Sequence, residues 1–195
     1  MQARFADLGL ELLDFQHSFV VHCQKCNGRA VIDSGKKLCC TNCFYTQSQP
    51  KWLGRYKLFV CRKCANCNHI LHHTIESEQK WPLIPVTCPN CKHHQLYEAT
   101  ASQIAYAKGL KLDPYYGLPL WYQAGFKNEL FWAYNEAHLN YIAQYITAKV
   151  RERGIEPRNS IRKNSSLISR LPEFIKKSGN RASLLKLIEK LQLKV

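Results

Sequence analysis

The sequence predicts an α+β fold: two small β units that carry cysteine pairs, then a β-hairpin and helix, then a basic helical C-terminal region. Three observations predict this fold. Four Cys-x-x-Cys pairs fall between residues 23 and 91, β-branched and aromatic runs lead into them, and apolar residues recur at helical spacing from residue 139. Short runs bounded by turn residues are typical of strands, whereas apolar positions three and four apart indicate an amphipathic helix.

The composition limits the classes of protein to which the chain can belong. A hydrophobic content of 46% is ordinary for a globular protein and argues against disorder. No apolar run approaches the roughly 18 residues that a membrane-spanning helix needs, so no membrane partner is expected. The start of the chain lacks the apolar core of a secretory signal peptide, which favours a soluble, cytoplasmic protein with reduced cysteines.

The first cysteine unit has the spacing of a structural metal site. A strand-like run at residues 18–23 leads into the first pair, and a turn at residues 33–36 precedes the second pair. A Cys-x-x-Cys turn directs two thiolates at one point, and two such turns supply the four ligands of a tetrahedral Zn²⁺ at about 2.3 Å. Cys39 is out of step with these pairs and is expected to be a spare thiol on the strand. The expected ligands are Cys23, Cys26, Cys40 and Cys43.

The second unit repeats this arrangement but leaves one ligand open, because Cys61, Cys64 and Cys67 are each three residues apart. Either neighbouring pair has the required spacing. We prefer Cys64 with Cys67, because Asn68 tolerates the positive φ wanted after the second ligand, whereas Ala65 would be strained there. The cofactors predicted are therefore two structural Zn²⁺ ions, one in each unit. The expected ligands of the second are Cys64, Cys67, Cys88 and Cys91.

Histidines in the second unit suggest a different chemistry. A His-His pair between two Cys-x-x-Cys pairs superficially resembles the HNH nucleases, in which a histidine is the general base and another group holds a catalytic metal. The chain departs from that pattern, since only four residues separate Cys67 from His72 and Lys92 stands where a histidine is usual. A nuclease that uses His72 and His73 is the minority hypothesis. We assign no catalytic residue and expect the histidines to be surface residues.

The chain divides into three predicted segments. Residues 1–56 hold the N-terminal segment and the first zinc ribbon, and residues 57–100 hold the second ribbon. Residues 101–195 hold an aromatic hairpin and the helical basic region. A short helix is also predicted over residues 1–16, on the spacing of its apolar residues, and another over residues 100–108, stopped at Gly109.

Within the last segment, the hairpin and its helix are the most specific local prediction. Residues 120–123 and 130–134 are aromatic runs separated by a turn with a glycine. Asn135 is expected to cap the helix that follows, and Gly154 is a natural stop for it. Asn180 is expected to cap the last helix in the same way.

Positive charge is concentrated at the end of the chain. The formal net charge is +14, and residues 151–195 contribute 12 Lys and Arg against 4 Asp and Glu. Each Cys₄–Zn²⁺ centre has a net charge of −2, so two centres lower the total to roughly +10. This excess predicts a polyanionic partner, DNA or RNA. The candidate phosphate contacts are Arg158, Arg162, Lys163, Arg170, Lys176, Lys177 and Arg181.

The order of these motifs resembles a known group of proteins. Tandem Cys₄ ribbons, then LWYQ and LFWAYNEAHLNYI, then NSSLISRLPEFIKKSGNRASLLKLIEKL are similar to small bacterial TFIIB-type zinc-ribbon-containing proteins. The resemblance covers most of residues 20–192, and its distinctive part includes Leu171-Pro172, Lys176-Lys177 and Asn180-Arg181. It implies an architecture and brings no established activity.

The sequence therefore favours a non-enzymatic zinc-binding protein that contacts DNA or RNA through its basic C-terminal and ribbon surfaces. A second hypothesis is a protein-interaction adaptor, such as an accessory subunit of a bacterial defence or secretion system. No small-molecule substrate is evident.

Overall fold

The computed structural model describes residues 4–148, 150–152 and 166–194, and it confirms the predicted α+β class. No helix in these ranges is long and apolar enough to cross a membrane. The strands are β1 (Arg4–Ala6), β2 (Phe19–His22), β3 (Arg29–Ile32), β4 (Leu38–Cys40), β5 (Thr46–Gln47), β6 (Tyr56–Lys63), β7 (Ile70–Ser77), β8 (Leu83–Thr87), β9 (His94–Glu98), β10 (Thr100–Gln103), β11 (Tyr106–Ala107), β12 (Leu110–Lys111), β13 (Tyr122–Phe126), β14 (Glu129–Ala133) and β15 (Val150–Glu152). The helices are α1 (Glu136–Thr147), α2 (Leu167–Arg170), α3 (Glu173–Lys176) and α4 (Arg181–Gln192), with 3₁₀ turns at Leu12–Phe15 and Ser178–Asn180.

The first ribbon is the antiparallel sheet β2-β3-β4-β5. Its strand β2 also joins the aromatic hairpin, because the Val20 N–H donates to the Tyr134 carbonyl at 2.8 Å and the Val20 carbonyl accepts from the Trp121 N–H at 2.8 Å. Apolar residues of β2 on both faces are buried, which β-branched and aromatic residues favour. The first ribbon is therefore part of the main body of the molecule.

The second ribbon consists of the antiparallel sheet β10-β6-β7 and the hairpin β8–β9. Leu58 and Val60 alternate with exposed neighbours along β6, as expected for a strand buried on one face. The two layers enclose a core of their own, separate from the main one. Its buried residues are Leu58, Val60, Cys64, Leu71, Ile84, Val86, Cys88 and Tyr97.

The main core lies between the first ribbon, the hairpin β13–β14 and the helices. Asn135 caps α1 as predicted: its side-chain oxygen accepts the backbone N–H of His138 at 2.9 Å. Its amide nitrogen also donates to the carbonyls of Phe15 and Ser18, at 2.7 and 2.9 Å, which ties the helix start to the N-terminal segment. Helix α4 lies against α1 and β13 and buries Leu184, Ile188 and Leu191.

Two chain segments lie side by side where the second ribbon joins the main body. The Leu53 N–H donates to the Tyr116 carbonyl at 2.8 Å. Gly117 has φ +72°, and a Cβ atom there would meet the Gly54 nitrogen at 2.9 Å and the Trp52 ring at 3.2 Å. A glycine at this position permits both the conformation and the close approach. The division into three segments, 1–56, 57–100 and 101–195, stays a prediction.

Several local predictions are wrong. Residues 4–16, the described part of the predicted N-terminal helix, form β1 and a 3₁₀ turn instead, and Gly9 turns the chain between them at φ 71°. Thr100–Gln103 is a strand and not a helix, because it completes the hydrogen bonding along the edge of β6. Helix α1 ends at Thr147, and Gly154 lies outside the described residues. Asn180 makes no side-chain cap. Its amide donates to the Phe174 carbonyl instead, at 2.8 Å.

Candidate metal centres

The first group of four thiols lies at the end of the first ribbon. Cys23 and Cys26 stand in the turn between β2 and β3, Cys40 is the last residue of β4, and Cys43 stands in the turn that follows. The Cys23 and Cys43 sulfurs are 3.8 Å apart, and those of Cys26 and Cys40 are 3.5 Å apart. All four sulfur atoms lie within 4.8 Å of one another.

The second group lies at the end of the second ribbon and repeats the same geometry. Cys64 and Cys67 stand in the turn between β6 and β7, and Cys88 and Cys91 stand in the turn between β8 and β9. The sulfurs of Cys64 and Cys91 are 3.6 Å apart, and those of Cys67 and Cys88 are 3.7 Å apart. These four atoms also lie within 4.8 Å of one another.

These separations suit a tetrahedral ion bound by four thiolates. With metal–sulfur bonds of about 2.3 Å, the edges of a regular tetrahedron are about 3.8 Å long. Two sulfur–sulfur distances in each group are 3.5–3.8 Å, and the others are within 4.8 Å. A disulfide needs about 2.05 Å, and all ten cysteines are free thiols. The two groups therefore have the donor type and the size that Zn²⁺ requires.

Backbone amides around each group stabilise thiolates. The Gly28 N–H points at the Cys26 sulfur at 3.4 Å, and this hydrogen bond is the main cause that lowers the pKa of Cys26 to about 6. The Cys67 backbone amide is the main cause that lowers the pKa of Cys64 to about 6. For Cys43 the Tyr45 amide acts to lower the pKa, but hydrogen bonding with Cys26 and burial outweigh it and raise the pKa to about 12. Within one group some thiols therefore ionise readily, which a metal ligand must do.

The four cysteine turns share one backbone conformation. The N–H of Cys23 donates to the Gly28 carbonyl at 2.8 Å, and the Asn27 N–H donates back to the Cys23 carbonyl at 2.9 Å. The same pair of bonds closes the turns that begin at Cys64 and Cys88. In each turn the residue after the second cysteine has a positive φ. These residues are Asn27, Phe44, Asn68 and Lys92.

The structure places the two remaining cysteines outside both groups. Cys61 lies on β6 opposite His72 and is exposed, whereas Cys67 lies in the turn with the other thiols. Cys39 lies on β4 opposite Val31 and is half-buried. Strand alternation explains this, because neighbouring side chains along a strand point to opposite faces.

The histidines of the second ribbon do not converge on one point. His72 is exposed and His73 is half-buried, because neighbouring residues on β7 point to opposite faces of the sheet. His94 bonds the Thr87 hydroxyl at 2.9 Å, and His93 bonds the Gln95 side chain at 3.3 Å. Within the described residues, the groups of three or more possible metal ligands are the two four-cysteine groups. The arrangement of His72 and His73 gives no support to the nuclease hypothesis.

The predicted phosphate contacts differ in their exposure, and some of them lie outside the described residues. Arg170 and Lys177 are exposed, and Lys176 donates to the Ser169 carbonyl at 2.8 Å. Arg181 is half-buried at the start of α4. The other three, Arg158, Arg162 and Lys163, lie outside the described residues. The described ones therefore include two exposed cations, on separate short elements.

Aromatic residues divide into a buried and an exposed set. Those of the hairpin and α1 are mostly in the core: Trp121, Tyr134, Tyr141 and Tyr145 are buried. The exposed ones, which sequence reasoning did not single out, are Phe44, Phe59 and Trp81 on the ribbons and Tyr106 on β11. Alternation along YKLFVCRK is a signal that could have found Phe59, because it places Phe59 on the opposite face to Leu58 and Val60.

Comparisons of the chain with protein-family models, with curated proteins and with solved structures yield no match. The resemblance to bacterial zinc-ribbon-containing proteins therefore rests on the sequence motifs, and the ribbon-like units agree with it.

Proposed function

We propose that the chain is a non-enzymatic binding protein in which two Zn²⁺ ions are structural and nucleic acid is the partner. The observation that carries the zinc assignment is the pair of four-thiol groups with tetrahedral spacing. Four thiolates close the coordination sphere of Zn²⁺, so no position remains for a catalytic water. The zinc ligands we assign are the eight cysteines of the two groups.

Net charge supports the nucleic-acid partner. The chain carries +14 before metal is counted, and two Cys₄–Zn²⁺ centres leave roughly +10. A protein with this excess attracts polyanions, and each phosphate that it neutralises makes the affinity fall as salt rises. The exposed Arg170 and Lys177 and the cations of the ribbons are available for such contacts.

Zinc stoichiometry tests the first half of the proposal. Native mass spectrometry of the purified protein is expected to show two zinc ions per chain. Cys67→Ser removes a ligand and is expected to leave one tightly bound ion, whereas Cys61→Ser is the matched control and retains two. Two ions in the Cys67→Ser protein and one in the Cys61→Ser protein would overturn the ligand assignment.

Retardation of labelled DNA and RNA in a native gel tests the second half. Binding is expected at about 50 mM salt, and its affinity is expected to fall steeply towards about 200 mM. A zinc-loaded protein that retards neither DNA nor RNA at low salt would exclude nucleic acid as the partner.

One observation favours the adaptor as a second candidate. Leu83 and Leu96 are 46% and 56% exposed on the outer face of the hairpin β8–β9, and Leu96 lies opposite Pro85. An apolar strip of this kind suits a protein partner. A stoichiometric protein that stays bound in a pull-down after nuclease treatment would favour this candidate.

A further inference from the structure

The exposed side of the three-stranded sheet in the second ribbon combines aromatic rings with lysines. The inner side of β6 carries Leu58 and Val60 into the core, so the alternate residues Lys57, Phe59, Cys61 and Lys63 point outward and are exposed. On β7 the exposed His72 belongs to the same side. The two lysines and the two rings on this side, Lys57, Phe59, Lys63 and His72, are called the ribbon face.

An aromatic platform lies at the centre of the ribbon face. The rings of Phe59 and His72 are stacked, with centroids 6.3 Å apart and planes inclined by 25°. Phe59 remains 39% exposed, although it lies on the middle strand of the sheet. Flat aromatic rings held on a rigid sheet are surfaces on which unpaired bases stack.

A second aromatic ring lies in a groove beside the same sheet. Trp81 is 45% exposed, and its indole N–H donates to the Gln79 side chain at 3.3 Å, which orients the ring. The groove has a volume of about 400 Å³, and Arg62, Lys80 and Glu98 are the charged residues that also line it. Thr100 lines the groove and stands opposite Phe59 across β10 and β6, so the groove adjoins the ribbon face.

Charge around the two rings is arranged for an anion. Two of the acids nearby are already paired: Glu76 with Arg55 at 2.8 Å and Glu98 with Arg62 at 3.5 Å. The exposed ammonium groups of Lys57, Lys63 and Lys80 make no ion pair within the described residues.

The geometry points to the ribbon face and the Trp81 groove as a binding site for single-stranded nucleic acid. Bases stack on Phe59–His72 and on Trp81, and the lysines contact the backbone phosphates. In a duplex the bases are stacked on one another, so their faces cannot stack on the aromatic rings of the protein. The site therefore selects single-stranded over double-stranded nucleic acid. This inference rests on the proposed nucleic-acid binding and names its site and substrate class.

The test measures binding of fluorescein-labelled oligothymidylate to the zinc-loaded full chain by fluorescence anisotropy. A length of about 20 nucleotides exceeds the roughly 4–16 nucleotides that a single-strand-binding domain such as an OB fold covers. The double variant Phe59→Ala/Trp81→Ala is expected to bind at least about 25-fold more weakly, since stacking on each ring contributes at least about fivefold. The matched control is Phe44→Ala, which removes an exposed aromatic ring from the first ribbon and is expected to bind as wild type.

A second pair of variants tests the phosphate contacts. Lys57→Gln/Lys63→Gln is expected to lower the slope of log affinity against log salt by roughly 1 to 1.5, about 0.7 for each contact with a single strand. Lys186→Gln/Lys190→Gln changes the same charge on the exposed side of α4 and is expected to leave the slope unchanged.

The outcomes separate this inference from the proposed function. Wild type that binds no nucleic acid overturns both. Wild type that binds, with Phe59→Ala/Trp81→Ala binding equally well or a duplex of the same length binding as tightly, overturns the inference alone. Phe59→Tyr/Trp81→Phe retains both rings and is expected to bind within about threefold of wild type, and its failure to do so also counts against stacking.

Discussion

At the scale of single residues, the choice of the eighth metal ligand was predicted for an incomplete reason. Cys67 was preferred over Cys61 because Asn68 tolerates a positive φ. Phe44 and Lys92, however, occupy the equivalent positions at φ 57° and 62°. The cysteine turn therefore imposes this conformation on ordinary residues. What places Cys61 outside the group is that β6 continues through it to Lys63, so its thiol lies on the exposed face of the strand.

His138 shows how burial changes the chemistry of one residue. The ring is 2% exposed, stacks on Phe15 with centroids 4.9 Å apart, and accepts the Tyr134 N–H at 3.2 Å. Burial lowers the pKa of His138 to about 4. The folded protein therefore holds this histidine neutral at pH values at which the unfolded chain, with a pKa near 6.5, is protonated.

This difference makes stability depend on pH in a predictable direction. Between about pH 6.5 and 4 the unfolded chain binds more protons, so the free energy of unfolding falls as the pH falls. From pH 7.5 to pH 5 the loss due to His138 is about 2 kcal/mol. Urea denaturation of wild type and His138→Asn at both pH values measures it, because Asn retains an acceptor for the Tyr134 N–H and does not titrate.

Acid also protonates any thiolates of the two four-cysteine groups, but it does so in both proteins. The comparison of wild type with His138→Asn therefore isolates the histidine. Equal losses of stability in the two proteins would show that His138 does not titrate as its burial implies.

At the scale of elements, the two ribbons are alike in their metal sites and different in their support. In the first ribbon, Cys23 and Cys40 belong to the same buried core as the hairpin and helices, and β2 is hydrogen-bonded to Tyr134. The second ribbon has a small core of its own, made of a few apolar residues and two cysteines. A unit of this size depends on its metal for stability.

We therefore expect zinc removal to affect the two ribbons unequally. Excess chelator is expected to unfold β6 to β10, whereas β2 and α1 stay folded because the main core holds them. Hydrogen–deuterium exchange with peptide-level resolution measures this as early loss of protection over residues 56–103. Readdition of Zn²⁺ is the control and is expected to restore protection. Simultaneous loss over β2 and β6 would contradict the unequal support.

At the scale of the whole molecule, the main core joins segments far apart in the chain. Phe15 packs on Tyr141 of α1, Phe19 packs on Tyr134 just before that helix, and Leu184 of α4 belongs to the same core. The second ribbon lies between residues 52 and 117, where Trp52 packs on Gly117. The arrangement leaves the second ribbon with its sheet face exposed, while the aromatic residues of the hairpin are covered.

The local chemistry could be predicted from the sequence. Cys-x-x-Cys turns, the hairpin of β13 and β14, and the Asn135 cap depend on residues a few positions apart, and the structure shows each of them. Local signals failed where a distant strand completed the hydrogen bonds. A helix was predicted over residues 100–108, but pairing with Tyr56–Phe59 makes Thr100–Gln103 a strand.

The sequence by itself determined seven of the eight grouped cysteines, since turn geometry and the number of thiols are local properties, and the course of β6 decided that Cys67 and not Cys61 is the eighth. Only the tertiary structure decided which aromatic residues are exposed. Trp121 and Tyr134 are buried, whereas Phe59 and Trp81 are open to solvent. Burial depends on contacts between segments far apart in the chain, and composition around a residue does not specify them. For that reason the site proposed for single-stranded nucleic acid lies on the second ribbon and not in the aromatic hairpin.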